Sequence, residues 1–243
     1  MPNNQGFQSK NALMESSFVS KTTCIYGPSK IKKNSIIDSF VVIGYPTRAK
    51  TNQITLKSEI QLPIEYLYDQ ISTGSIIGEN NHIRPFTTIY ETSLLEDHVE
   101  TGTNVIIREN CQIGSGSIIG SSTVLDSGVV IGKKVRIQSN NFIPPKIVLG
   151  DNIFLGPGVR FANDLYPVSS RLVTTIVEDN AIIGIGAIIL AGITIGEGAV
   201  IAAGSIITKD VPSGHVMMGT PARCIMTREE YDLKQKNYET SQN

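Results

Sequence analysis

The chain has 243 residues and a net charge of −1, so no global basic field points to nucleic acid or to a membrane surface. Trp is absent, and three Cys form an odd count with no pairing or metal-ligand spacing, which predicts a reducing, cytoplasmic setting. No apolar run is long enough for a membrane span, and the polar stretch from Met1 to Thr22 carries no apolar signal-peptide segment.

In chain order, the first regular feature is an isoleucine at every sixth position: Ile25, Ile31, Ile37 and Ile43. A segment of about 45–75 interrupts it. Within that segment Ile64-Glu65-Tyr66-Leu67-Tyr68 reads equally as a helical turn or a strand. The period returns at Ile77 and runs through Ile83, Ile89, Leu95, Ile107, Ile113, Ile119, Leu125, Ile131, Ile137, Ile143, Leu149 and Leu155 to Phe161, with Thr101 the one exception. A second column, two residues earlier, holds small or branched side chains such as Val99, Val105, Cys111, Ser117 and Thr123. Cys111 there reads as a small buried hydrophobe.

A second interruption covers about 162–175. Ile183, Ile189, Ile195, Ile201 and Ile207 then resume the period, with Ala181, Ala187, Ala199 and Ser205 in the second column. Ile43 to Ile77 is 34 residues and Phe161 to Ile183 is 22; neither divides by six, so each gap holds an insertion. Thr227 followed by Glu230 is a capping-box pattern, which predicts a short helix opening a polar tail over 227–243. Residues 1–226 therefore form one repeat domain.

Period six fits neither a helix nor a simple alternation. Short strands with a turn after each hexad satisfy it, and three hexads close a triangular coil. The predicted fold is all-β, a parallel β-helix of hexapeptide repeats with loop insertions that often build the site. Residues 18 apart then stack at the strand spacing, roughly 4.8 Å. Asn104, Ser122, Asn140 and Gly158 share one such column, and Gly102, Gly120, Gln138 and Gly156 share another. A polar column beside a glycine column makes an accessible groove, with the loop from Ala162 emerging just after it. Gly following the aliphatic, as at Gly78 and Gly120, suits a turn with φ > 0 or a close backbone approach. Arg108 and Asp126, also 18 apart, form a cross-coil surface pair. His82, His98 and His215 do not share a column, which disfavours a three-histidine zinc site. No phosphate-binding glycine loop precedes the repeats.

The closing segment Ile207-Thr208-Lys209-Asp210-Val211-Pro212, followed by Gly219-Thr220-Pro221-Ala222-Arg223, resembles the terminal coil of hexapeptide acyltransferases that use coenzyme A. Gly156-Pro157-Gly158-Val159-Arg160-Phe161-Ala162-Asn163-Asp164-Leu165-Tyr166-Pro167, with Ile137-Gln138-Ser139-Asn140 one coil earlier, is similar to the loop of N-acetyltransferases acting on nucleotide-linked amino-deoxyhexoses.

The resemblance implies a left-handed coil, a homotrimer with sites between subunits, and acetyl-CoA as co-substrate without a metal. It implies acetylation of a nucleotide sugar for surface glycan synthesis. Asp164 would accept an amine proton or hold the amine, or serve as a turn residue; Asn163 and Asn140 would orient the amine; Gln138, Tyr166 and Arg84 would bind the acceptor. Gly186, Ala187, Ala203, Gly204 and Ser205 would line the pantetheine path, and Lys209 and Arg223 would meet phosphates. The chain departs from the family at Ala162, Val168 and Thr103, where relatives carry Thr, Arg and His. Those departures keep a non-catalytic scaffold as an alternative. O-acetylation is the other alternative; O-acetyltransferases commonly place His-Pro where this chain has Tyr166-Pro167, and the missing His argues against it.

Overall fold

The computed structural model describes residues 5–55 and 62–241. The chain winds into a parallel β-helix whose three faces are sheets of nine, eleven and nine strands. The first face starts at Leu13–Met14, the second at Phe18–Val19 and the third at Cys24–Ile25. Each regular strand is hydrogen-bonded to the strand 18 residues on, as in Leu94 with Gln112, Glu100 with Ile118 and Ile106 with Val124. The last residue of each short strand points inward, so one aliphatic per hexad fills a narrow core. Both six-residue columns are buried, from Ile25 through Phe161 to Ile207.

Thr101 keeps its place in that core. It is 1% exposed, and its Oγ1 accepts the Arg84 backbone N–H at 3.0 Å, so the lone polar member of the column has a partner. Asn141 holds the second column and is equally buried. Its Nδ2 donates to the carbonyls of Gln138 at 2.6 Å and Gly156 at 3.2 Å, bridging two coils.

The corners are ladders of left-handed residues. At the second corner, between the second and third faces, φ is 59° at Phe40, 63° at Phe86, 57° at Asn104 and Ser122, 61° at Asn140 and 67° at Gly158. The glycines after the aliphatics answer a different need. A Cβ on Gly120 would stand 2.4 Å from the Gln138 carbonyl carbon, and one on Gly156 would stand 2.5 Å from the Ile185 nitrogen. Close approach of successive coils, rather than φ > 0, requires glycine there; the positive φ falls two residues later.

Both insertions leave the third corner, between the third and first faces. Ile31 pairs with Ile77 across 46 residues rather than 18, and Leu149 pairs with Val177 across 28. The first insertion contains helices α1 (Arg48–Thr55) and α2 (Ile64–Ile71), so the segment from Ile64 is helical. The second is a short loop ending where the strand Thr175–Val177 begins.

The coil starts earlier than the isoleucine period, with Leu13–Met14 and Phe18–Val19 already paired to the following turn. At the other end the chain reverses. His215–Gly219 extends the second face, and Ala222–Thr227 pairs with it antiparallel. Helix α3 (Arg228–Thr240) follows, opened by the predicted capping box: Thr227 Oγ1 accepts from Glu230 N at 3.3 Å and Thr227 N donates to Glu230 Oε2 at 2.9 Å.

Candidate active site

The second corner places Gln138 and Asn140 on one turn. Asn140 is exposed and left-handed, a conformation Asn tolerates better than most residues. Its carbonyl accepts from Arg160 Nη1 at 2.7 Å. Arg160, missed by the sequence analysis, thereby ties this turn to the strand Arg160–Phe161. Gln138 is partly buried, and its carbonyl is taken by Asn141 Nδ2. Arg84 occupies the same side three coils earlier, roughly 14 Å along the axis, with Nη2 3.6 Å from Glu100 Oε2.

Asn163, Asp164 and Tyr166 sit at the third corner instead. Asn163 Nδ2 donates to Pro145 O at 3.1 Å, holding the loop to the coil beneath. Asp164 Oδ1 accepts from Tyr166 N and Oδ2 from Ser169 N, both at 2.9 Å. Asn163 O also accepts from Val173 N at 2.9 Å, and Asp164 bridges antiparallel to Leu172. One carboxylate thus closes the loop on itself, which is the turn role of Asp. It retains lone pairs for a further donor. Tyr166 is 82% exposed at the loop tip. On one chain, then, Asn163, Asp164 and Tyr166 come together, while Asn140 and Gln138 stand at the opposite edge of the third face.

At the C-terminal end Lys209 and Arg223 line one cleft of about 350 Å³ over the last coil, together with Asp210, Met217 and Ala222. The turn at Asp210 is fixed by Thr194 N, which donates to its Oδ1 at 2.8 Å. Around the second corner, Gly186, Ala203 and Gly204 face outward, and a Cβ on Gly186 or Gly204 would meet open space. Ala187 and Ser205 do not belong with them. Both are 0% exposed, in the inner second column, so they cannot line a pantetheine path on this chain. Next to this corner an apolar groove of about 520 Å³ runs between α3 and the outer side of the second face, floored by Ile182, Gly184, Val200 and Ala203 and walled by Tyr231 and Tyr238.

A polar centre in the first insertion left no local sequence signal. Glu91, 1% exposed, accepts from Lys50 Nζ at 2.6 Å, Thr73 N and Oγ1 at 2.7 Å each, and Thr47 N at 2.9 Å. Burial pushes its carboxyl up, and the four donors outweigh that, leaving its pKa below the ordinary carboxylate value. Alongside, Tyr26, Tyr45, Tyr68 and Tyr90 meet edge to face with centroids 5.1 to 6.5 Å apart. Burial and the Tyr68 hydroxyl raise the Tyr45 pKa to about 12.

His82 Nε2 lies 2.9 Å from Asp38 Oδ2 on the second face, whereas His98 and His215 belong to other parts of the coil. Arg108 is bidentate to Glu109 at 3.0 and 3.1 Å, and Asp126 is its more distant partner at 3.8 Å. Among the described residues, no three His, Cys, Asp or Glu converge as metal ligands, and no helix is long and apolar enough to cross a membrane.

With this geometry in hand, comparison with known proteins identifies the coils. Residues 104–144 match the family described as the hexapeptide repeat of succinyl-transferase, and residues 174–209 match the bacterial transferase hexapeptide (six repeats). The matched coils are transferase-type hexapeptide repeats. A curated relative, the 2,3,4,5-tetrahydropyridine-2,6-dicarboxylate N-acetyltransferase of Staphylococcus carnosus (strain TM300), is 45% identical over 80 residues, 32% of this chain and 33% of that protein. The enzyme of the same name from Staphylococcus aureus (strain JH9) is 37% identical over 73 residues, 30% of each chain. The chain thus spans at most a third of the length of these relatives. Among solved structures, WeeI from Acinetobacter baumannii AYE aligns over 82% of this chain and 73% of its own, at 23% identity and a TM-score of 0.44.

Proposed function

We propose that the protein is an acetyl-CoA-dependent N-acetyltransferase whose acceptor is a nucleotide-linked amino-deoxyhexose, made for surface glycans. The observation that carries this is the cleft that joins Lys209 and Arg223 from two separate segments. Two cations held together over an open coil end suit the phosphates of coenzyme A, Arg by bidentate hydrogen bonds and Lys as a point charge. The pantetheine arm then follows the second corner past Gly186, Ala203 and Gly204, where a Cβ on either glycine would meet nothing within 4 Å.

Acetyl transfer to an amine requires a neutral amine about 3 Å from the thioester carbonyl and a donor for the developing oxyanion, which a backbone N–H supplies. The amine nitrogen attacks the carbonyl carbon, the C–S bond breaks, and the departing thiolate takes the proton the amine gives up. No strong base is needed, which fits an Asp164 already engaged by two amides. Asp164 keeps the loop in shape and offers a remaining lone pair to the amine. Asn140 orients the amine from the other edge of the third face. Because one chain sets these groups on opposite edges, we infer a homotrimer in which one subunit's loop meets its neighbour's second corner.

The test is release of free thiol from acetyl-CoA with a panel of nucleotide-linked amino sugars, the matching hydroxy sugars and a small amino dicarboxylate. Turnover on an amino sugar alone supports the proposal. Turnover on the hydroxy sugars makes it an O-acetyltransferase, and turnover on the dicarboxylate assigns the acceptor class named for the Staphylococcus enzymes. Lys209→Ala and Arg223→Ala should each weaken coenzyme A binding about tenfold, the scale of one charge-assisted contact. Unchanged affinity in both, or absence of saturable acetyl-CoA binding in the unmodified chain, leaves a scaffold.

A further inference from the structure

The second corner carries an anomaly at two successive rungs. Most of its left-handed positions are filled by residues that adopt φ > 0 easily or are small: Asn104, Ser122, Asn140, then Gly158, Gly186 and Gly204. Phe40 and Phe86 hold the same backbone conformation, which is disfavoured for a bulky L-residue. Neither ring gains burial in return, since they are 49% and 56% exposed. They lie against each other with centroids 5.3 Å apart and planes 7° from parallel. The neighbouring rungs are short: below, Thr22 Oγ1 accepts from Phe40 N at 3.1 Å; above stands Asn104. The corner is therefore open beside a two-ring stack. Arg84, two residues before Phe86 on the same turn, has a side chain 46% exposed whose Nη2 lies 3.6 Å from Glu100 Oε2.

We propose that Phe40 and Phe86 form a stacking platform for the planar base of a nucleotide, with Arg84 beside it for the attached phosphate. This deepens the reading of the acceptor as nucleotide-linked, and rests on it, by giving the nucleotide end a site. A base stacks on aromatic rings whatever its identity, because every base has a π-face. The stack already repeats at the rung spacing, so a third ring continues it over the short Asn104. Asn140 is three rungs on, roughly 14 Å along the axis, a span that an extended nucleoside diphosphate covers. Adenine of coenzyme A has the same planar chemistry. Gly204, on the pantetheine path, lies six rungs from Phe86, roughly 29 Å away, which favours the acceptor's base.

The absence of Trp makes the site readable. Phe86→Trp installs a single reporter in the full chain, to be titrated with UDP, dTDP, coenzyme A and pyrophosphate. Saturable quenching by UDP or dTDP, with none by pyrophosphate, is the expected result. Phe40→Asn and Phe86→Asn place at each rung the residue that Asn104 and Asn140 already use. They should weaken UDP or dTDP binding by calorimetry about tenfold or more, the scale of one lost base stack, with the melting temperature unchanged or raised. Quenching by coenzyme A alone overturns the assignment to the acceptor. Quenching by no nucleotide overturns the platform. So do Asn variants that lose melting temperature or assembly size while nucleotide affinity holds, since the rings would then be a structural contact. UDP or dTDP binding without any transferase turnover would uphold the platform while sinking the proposed reaction.

Discussion

The two insertions leave the same corner of the same coil, yet they are built on opposite principles. The first is anchored from inside. A carboxylate with almost no exposure gathers four donors from two segments, and a cluster of tyrosines seals the join between α2 and the coil. The second is tied to the coil by Asn163 Nδ2 on Pro145 O and otherwise anchored within itself, with Asp164 capping two amides of its own loop while Leu165, Tyr166 and Val168 face solvent. An insertion that spends its polar groups on the scaffold extends the scaffold. One that spends them on its own closure holds a surface in place for something else to touch, which is how ligand-contacting loops on rigid frames are made.

That contrast predicts a graded set of effects. Glu91→Ala should be the largest. Stranding a half-exposed Lys50 and three other donors costs about 3 kcal/mol or more, read as lost hydrogen-exchange protection across the first insertion while the coils from 104 to 161 keep theirs. Loss of protection throughout would mean that the insertion is part of one cooperative core. Acid should have the same local effect. A carboxyl whose pKa is held below its unfolded value contributes stability above that value and loses it as pH falls through the folded pKa. As pH falls below the ordinary glutamate range, the first insertion should therefore open before the coil does, and simultaneous opening would break the distinction.

Asp164→Asn comes next. It keeps one acceptor oxygen and should cost only about 1 kcal/mol in stability, yet raise the acceptor KM about tenfold; a drop in stability matching Glu91→Ala would place the two insertions in one class. Smallest in stability is Asn140→Gly, because glycine adopts the left-handed corner freely. Melting should stay within about 0.5 kcal/mol of the parent while turnover falls. Full turnover in this variant would make Asn140 a corner residue alone.

The six-residue period made the coil, its phase and both insertions legible, because every inward position obeys one local rule. Even Thr101 stays in register, since a hydroxyl can satisfy itself against the Arg84 amide without leaving the core. The same rule decides Ala187 and Ser205. Their column is inward, so small size there reflects a tight interior rather than room for a ligand. What the period could not carry is contact between segments of different phase. Lys50 and Glu91 are 41 residues apart and meet only because an insertion folds back on its corner. Likewise, spacing put Asn140 one coil below the 162–174 loop but not on which edge of the face each would stand.

The reversal after Gly219 has a consequence for how these molecules behave at high concentration. A coil of stacked parallel strands is open to fibre growth, since each end offers an edge on which an identical chain could continue the pattern. Here the second face finishes in Ala222–Thr227 running the other way, and α3 follows directly. A parallel strand from the next molecule finds no matching register on that edge. The backward-running strand acts as a terminator of the second face, one of the three edges along which a filament would otherwise continue.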